Sequence, residues 1–141
     1  MSAFGAHPLI DRIAAAINEH DLDALTECFD DKVESEHPAH PARSFTGRDQ
    51  IRKNWTQILQ GVPDLRAHLV RAASDGHIAW AEWEWTGRRR DGTPHQHRGV
   101  TVLGISGGRA SWVRLYMEPV EQGGAPIDAA VRSSLAPGVR S

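Results

Sequence analysis

The stretch AWAEWEWT, residues 79–86, decides the fold class, because its side chains alternate between two chemical kinds. Successive side chains of a β-strand point to opposite faces of the sheet. One face of this strand carries Ala79, Ala81, Trp83 and Trp85. The opposite face carries Trp80, Glu82 and Glu84. Because carboxylates are rarely buried without partners, the face of alanines and tryptophans is predicted to point into the core.

Neighbouring segments repeat this period-two pattern, so four strands are predicted in the second half of the chain. They span about residues 65–73, 77–86, 97–106 and 109–118, with SDG, GRRRDGTP and GG between them. Such short connections predict an antiparallel meander. On the last two strands, one face carries His97, Gly99, Thr101, Leu103, Ile105, Val113, Leu115 and Met117.

Helical spacing dominates the first half of the chain. A first helix starts at Pro8, and Asp21 caps a short second helix. Thr46 and Asp49 form a capping-box pattern before a third helix, which ends at Gly61. The side chains predicted to face the core are Ile10, Ile13, Ala14, Ile17, Leu22, Leu25, Cys28, Phe29, Ile51, Trp55, Ile58 and Leu59.

Three helices followed by a meander predict an α+β domain in which a curved sheet wraps the helices. We assign this domain to residues 1–121 and a C-terminal tail, rich in glycine and proline, to residues 122–141. Apolar residues at helical spacing between 127 and 135 indicate a short helix in the tail. That segment could close over a cavity, cross a dimer or fray, and the sequence leaves these three alternatives open.

The composition argues against several classes of partner. A formal charge of -2 gives no field that would gather nucleic acid or anionic lipid, so neither a nucleic acid nor a membrane is expected. The sole cysteine, Cys28, rules out an internal disulfide. The opening residues MSAFGAHPLIDR lack the basic and apolar regions of a signal peptide. We therefore expect a cytoplasmic protein.

Five segments, in this order, resemble the polyketide cyclase SnoaL-like branch of the nuclear transport factor 2-like superfamily. They are INEHDLDALTECFDDKV (17–33), ESEHP (34–38), FTGRDQIRKNW (45–55), VPDLRAHL (62–69) and WVRLYMEP (112–119). The resemblance implies a cone-shaped, curved mixed or antiparallel sheet wrapped around three N-terminal helices. It also implies a deep apolar pocket for a hydrophobic small molecule, a dimeric state and no cofactor.

The resemblance carries one catalytic role to this sequence. In ketosteroid isomerases of the superfamily, the base precedes a proline on the strand after helix two, where this chain has His37 with Ser35 on the same face. Their oxyanion-hole tyrosine and aspartic acid correspond to Ile13 and Thr101, which disfavours that activity, although Thr101 can still donate a hydrogen bond. Limonene epoxide hydrolases need a final-strand acid where Leu115 lies, so that reaction also loses support.

Polyketide cyclases of the family need only an acid/base residue and a hydrophobic cleft. Histidine suits the first requirement, because it titrates near neutrality and can move a proton between substrate atoms. The candidate catalytic residues are His37, His97 and Thr101. The candidate substrate-binding residues are Ser35, Asn54, Trp55, Trp83, Trp85, Leu103, Val113, Leu115 and Met117.

Each candidate also has a purely structural interpretation. His37 can simply end a strand, and Trp83 and Trp85 can be ordinary core residues. Imidazoles that could hold a metal belong to His37, His40, His95 and His97. No inward acid or cysteine accompanies these imidazoles, so no metal site is expected.

The outward side of the meander carries an apolar patch, and such patches commonly mark protein interfaces. Its members are Trp80, Val100, Val102, Trp112 and Tyr116. We therefore predict a homodimer that forms through the outer faces of the sheets.

Three functions are compatible with the sequence. The first is a cofactor-independent enzyme with isomerase-, cyclase- or lyase-like acid/base chemistry on a hydrophobic small molecule. The second is a module that binds such a ligand without chemistry. The third is a dimeric interaction domain whose cavity is filled by its own side chains. A void beside Trp83 would argue against the third.

Overall fold

The computed structural model describes residues 7–138. In chain order its elements are α1 (Pro8–Asn18), α2 (Leu22–Glu27), β1 (Phe29–Glu36), β2 (Phe45–Thr46), α3 (Arg48–Gly61), β3 (Arg66–Asp75), β4 (Ile78–Arg88), β5 (Pro94–Ser106), β6 (Arg109–Pro119) and α4 (Ile127–Leu135). A 3-10 turn, Pro41–Arg43, lies between β1 and β2.

The strands form one six-stranded mixed sheet in the order β2-β1-β6-β5-β4-β3. Strand β1 runs parallel to β6, and every other neighbouring pair is antiparallel. The α+β class and the meander β3 to β6 are confirmed. One boundary was wrong: α2 ends at Glu27, and Phe29 begins β1, where it pairs with Ala110 of β6.

The predicted inner face of the sheet is confirmed. Ala79 and Ala81 are completely buried and Trp83 is 2% exposed, whereas Trp80 on the opposite face is 40% exposed. The helices pack against this inner face, and their fully buried side chains include Leu9, Ile10, Ile17 and Leu25. The core therefore lies between the helices and one side of the sheet, and Tyr116 on the other side is exposed, as Trp80 is.

Side chains cap the first two helices. The Nδ1 atom of His7 accepts a hydrogen bond from the Leu9 N–H (3.0 Å), and Asp21 accepts one from the Ala24 N–H (3.0 Å). The predicted capping box of α3 was wrong. Thr46 lies in β2, paired with Glu34, and the N-cap is Gly47 with no side-chain cap bond.

The free edge of β3 is partly covered by a side chain of α1. The Asn18 amide donates to the Ala67 carbonyl (3.0 Å) and accepts from the Ala67 N–H (2.7 Å). These are the two bonds that a neighbouring strand would make. Asn18 therefore ties α1 to the sheet and satisfies an exposed edge.

The C-terminal tail contains a helix whose apolar side chains are exposed. Ile127 and Leu135 of α4 are 75% and 76% exposed, and Val131 is also exposed. The short helix predicted there is present, and it does not bury its apolar stripe against the described part of the chain. The division at residue 121 stays a prediction. None of the described helices is long and apolar enough to cross a membrane.

Gly99 of β5 has no room for a side chain, and its replacement by alanine is expected to cost roughly 1–3 kcal/mol of stability. Its φ is +155°, and a Cβ atom there would lie 2.0 Å from the carbonyl oxygen of Tyr116 on β6. Urea denaturation would measure the loss. A Gly61→Ala variant is the control, because nothing lies within 4 Å of a Cβ at that position. Equal stability of the two variants would contradict this close approach.

Candidate functional site

A cavity of about 240 Å³ lies between the helices and the inner face of the sheet. An apolar cavity of roughly 150 Å³ already holds a benzene ring, so this one can take a larger molecule. The void borders Trp83, which argues against a domain that fills its cavity with its own side chains.

All twelve predicted site residues contribute to the lining of this cavity. They are Ser35, His37, Asn54, Trp55, Trp83, Trp85, His97, Thr101, Leu103, Val113, Leu115 and Met117. The structure thus brings these residues together, while their catalytic and binding roles stay predictions.

Eight further residues line the cavity and were not predicted as site residues. Ile13, Ile17, Leu25, Phe29, Ile51 and Ile58 also border the cavity. Helical spacing predicted that all six face the core, which cannot separate core from cavity wall. Phe45 and Arg43 come from the segment after β1, where no periodic signal exists. Of these, Arg43 is the one that changes the chemistry of the site.

Three tryptophans form a connected aromatic wall. The ring centroids of Trp55 and Trp85 are 5.5 Å apart with an interplanar angle of 71°, and those of Trp83 and Trp85 are 6.4 Å apart. The Trp83 indole N–H donates to the hydroxyl oxygen of Thr101 (3.0 Å). This bond uses an acceptor site of the hydroxyl, so the Thr101 O–H can still donate to a ligand.

Two buried polar groups of the wall have no hydrogen-bond partner within residues 7–138. They are the Ser35 hydroxyl and the Trp85 indole N–H. Ser35 is 2% exposed, so water does not compensate it at the surface. Because an unsatisfied buried polar group costs about 1–3 kcal/mol, both groups would gain from a ligand with polar atoms.

His37 lies directly after β1, and its surroundings keep it uncharged near neutral pH. Its backbone N–H bonds to the Ser44 hydroxyl (3.3 Å), and its carbonyl accepts from the His40 N–H (2.8 Å). Burial, and then the charges of Arg43 and His40, lower the pKa of the imidazole below 6.5, against an opposing effect of Glu118. A neutral imidazole in a cavity wall can accept a proton.

His97 projects from β5 into the same cavity. Its ring stacks on that of His95, with centroids 4.4 Å apart. Burial, and then Arg89, lower the pKa of His97, against an opposing effect of Glu118. The third histidine of this region, His40, does not line the cavity, and its Nε2 atom lies 2.7 Å from Oε1 of Glu118. Over residues 7–138, no three histidine, cysteine or acidic side chains are grouped so that they could hold a metal ion.

Cys28 is an ordinary core residue in this structure. Its side chain is 1% exposed, and burial raises the pKa of its thiol. A thiol that stays protonated is a poor nucleophile. The polar groups of the described cavity wall are therefore imidazole, hydroxyl, indole and amide groups and the guanidinium of Arg43.

Comparison with known proteins gives the family and the fold. Residues 10–113 match the family model described as a SnoaL-like domain. No curated protein matches the chain.

Similar solved structures share 14–20% identity with this chain, which supports the fold alone. One is a hypothetical protein of ketosteroid isomerase-like fold from Catenulispora acidiphila, in complex with trimethylamine. It shows 19% identity and a TM-score of 0.68, with 77% of this chain and 84% of that chain covered. Another is an LEH-like epoxide hydrolase of M. tuberculosis, with 15% identity, 79% and 80% coverage and a TM-score of 0.68. A third is a protein from Sinorhizobium meliloti, provisionally named a polyketide cyclase, with 20% identity, 79% and 94% coverage and a TM-score of 0.62.

Proposed function

Because this chain belongs to the SnoaL-like domain family, we propose that it is a cofactor-independent enzyme that performs acid/base chemistry on a hydrophobic small molecule. Proteins of this fold carry names from several reaction classes, so the fold does not choose among them. The reaction class therefore has to be inferred from the chemical groups in the cavity wall.

The observation that carries the proposal is the position of the His37 imidazole in the wall of an apolar cavity. His37 borders the cavity, and its pKa is lowered by burial and by Arg43. His37 takes a proton from a carbon beside a carbonyl group, and the electron pair of that C–H bond moves to the carbonyl oxygen. When the ketone is β,γ-unsaturated, the enolate is a dienolate; the imidazolium returns the proton to its γ-carbon, the carbonyl re-forms and the double bond moves into conjugation, which completes an isomerisation. In a cyclisation, the enolate instead attacks a second carbonyl carbon of the same molecule, and the imidazolium protonates the new alkoxide.

Two features of the wall support the charged intermediate. The free O–H of Thr101 and the unpaired hydroxyl of Ser35 are donors for an oxygen that becomes negative. The tryptophans Trp55, Trp83 and Trp85 keep water away from the reacting carbon, which strengthens these hydrogen bonds. His97 is a second imidazole for proton transfer.

Deuterium exchange tests the proposal without knowledge of the natural substrate. We expect the protein to catalyse incorporation of solvent deuterium next to the carbonyl of an apolar ketone such as 1-tetralone, measured by NMR. The neutral imidazole is the active form and its pKa lies below 6.5. The rate should therefore stay constant between pH 7 and 8 and fall below pH 6.5. Exchange no faster than the buffer background, or a rate that rises as the pH falls from 8 to 5, would contradict a role of His37 as base.

A module that binds its ligand without chemistry is the second candidate, and the unpaired Ser35 hydroxyl and Trp85 N–H favour it. It predicts ligand affinity that does not depend on protonation of His37. Quenching of tryptophan fluorescence by 1-tetralone between pH 5 and 8 measures this. Binding constant over that range, together with no deuterium exchange, would select this candidate.

We also propose that two copies of the chain associate through the outer sheet face. Trp80 and Tyr116 on this face are 40% and 43% exposed. The charged side chains around them are already paired within the sheet, as Arg71–Glu82, Arg98–Glu84 and Arg114–Glu36. The face therefore presents apolar area with little unbalanced charge to a second copy.

Sedimentation velocity tests the dimer. The wild-type chain at tens of micromolar should sediment as a dimer, and a Trp80→Glu, Tyr116→Glu variant as a monomer, because each glutamate would bury a charge. A Leu135→Glu variant on α4 is the control, since that side chain is exposed outside the sheet. A monomeric wild type would refute this interface.

A further inference from the structure

Over residues 7–138, the cavity wall contains one formally charged side chain when its histidines are neutral. Among the described residues that line the cavity, Arg43 is the single arginine or lysine, and none is aspartate or glutamate. A lone cation in an acid-free wall favours anions and disfavours cations. The wall therefore has an electrostatic preference in addition to its apolar character.

The guanidinium of Arg43 is available for a ligand. Within residues 7–138 it makes neither a hydrogen bond nor an ion pair of its own, whereas six other ion pairs occur there. Glu118 is an acidic residue near His37, because its charge shifts the pKa of the His37 imidazole, as the charge of Arg43 does. Its carboxylate is already bound to the His40 ring at 2.7 Å.

The loop that carries Arg43 has a defined backbone. The Arg43 N–H bonds to the His40 carbonyl (2.9 Å), and the Ser44 N–H bonds to the Pro41 carbonyl (3.1 Å). At the start of the loop, the His37 N–H bonds to the Ser44 hydroxyl. These bonds hold the base of the Arg43 side chain in place, so less conformational freedom is lost on binding.

Away from Arg43, the described cavity wall has no charged group that could pair with a permanent anion, and its interior suits an apolar body. Its other polar groups are neutral, and two of them, the Ser35 hydroxyl and the Trp85 N–H, have no partner within residues 7–138. An apolar body with an oxygen function would satisfy one of these groups. A charged end would be stabilised at the exposed Arg43, where it stays in contact with water.

We propose that the cavity binds hydrophobic carboxylates, with the carboxylate on Arg43 and the apolar body against the tryptophans. The proposal rests on the ligand cavity of the proposed function and adds the class of its substrate. A single guanidinium pairs with a monovalent carboxylate through two parallel hydrogen bonds. A dianionic phosphate would leave a second charge unbalanced in this wall.

Isothermal titration calorimetry with matched acids and amides tests the proposal. The probes are octanoate, 4-phenylbutanoate and 2-naphthoate, each compared with its primary amide. We expect the wild-type chain to bind at least one of these acids more tightly than its amide. Arg43→Gln should weaken the binding of that acid by roughly 5- to 10-fold and leave the affinity for the amide unchanged. Raising the salt concentration from 50 to 500 mM should weaken binding of the acid alone.

Two control variants separate charge from geometry. Arg43→Lys keeps the charge and should retain part of the preference, because lysine lacks the planar fork. Arg66→Gln removes an exposed positive charge on β3, outside the cavity wall, and should change nothing.

The outcomes distinguish this inference from the function on which it rests. If each acid and its amide bind equally well, or if Arg43→Gln weakens both, the cavity remains a ligand site and the carboxylate preference is refuted. If no probe binds the wild-type chain, the cavity is not a site for small apolar ligands, and the proposed function fails together with this inference.

Discussion

Replacement of Trp83 by alanine is expected to lower the free energy of unfolding by about 3–5 kcal/mol, the usual cost of truncating a buried aromatic side chain. Trp83 is the largest of the fully buried side chains, at 2% exposure. The variant removes its contact with the Trp85 ring and its hydrogen bond to Thr101. Urea denaturation followed by circular dichroism would measure the change.

Two smaller substitutions separate packing from hydrogen bonding at this position. Trp83→Phe keeps most of the buried ring, and Thr101→Val removes the acceptor and leaves the indole N–H unpaired at a cost of about 1–3 kcal/mol. If the hydrogen bond between Trp83 and Thr101 contributes to stability, the double variant Trp83→Phe, Thr101→Val should lose less free energy of unfolding than the two single variants together. A loss of less than about 1 kcal/mol for Trp83→Ala would contradict the burial that defines the inner face.

The inner face of the sheet was predictable because strand parity is a local property. In AWAEWEWT, the polarity of each side chain and its position in the alternation were enough to assign it to a face of the strand. Trp83 is buried and Trp80 is exposed, as this assignment predicts. The two interpretations of Trp83, as core or as cavity wall, proved compatible. The side chain is buried among core residues and also borders the void.

Features that depend on distant segments were not predictable in the same way. Strand β2 has two residues, Phe45 and Thr46, and exists because it pairs with Ser35 and Glu34 of β1. That pairing draws Thr46 into an extended conformation, so it cannot cap α3 as its local pattern suggested. The parallel pairing of β1 with β6 joins segments more than 70 residues apart, for which the sequence contains no local signal.

The residues of the candidate site also differ in whether a local sequence pattern could predict them. The apolar wall residues of the meander were predicted because facing inward is periodic along a strand, and an inward position near a void becomes a wall position. Arg43 was missed because its place in the wall depends on the loop bonds between His37 and Ser44 and not on any repeat. The role of His37 stays a prediction, because it depends on where a substrate carbon lies.

Replacement of His37 by glutamine is expected to slow deuterium exchange into 1-tetralone by about 10²- to 10⁴-fold, the usual contribution of a general base. Glutamine keeps a similar length and polarity but cannot take a proton near neutral pH. The half-buried ring makes no side-chain hydrogen bond within residues 7–138, so its loss should leave the melting temperature close to that of the wild type. The residual rate should also lose its fall below pH 6.5, because that fall reports titration of the removed imidazole.

Three further measurements make this result specific to the base. His68→Gln changes an exposed histidine of β3 outside the cavity wall and should exchange at the wild-type rate. If His97 only assists proton transfer, His97→Gln should slow deuterium exchange less than His37→Gln does. The ketone should bind the wild type and His37→Gln with similar affinity, so that the loss lies in the rate and not in occupancy of the cavity. An unchanged rate in His37→Gln would show that another residue is the base. An equal loss of rate in His68→Gln would show that the substitutions act by disturbing the fold and not by removing the base.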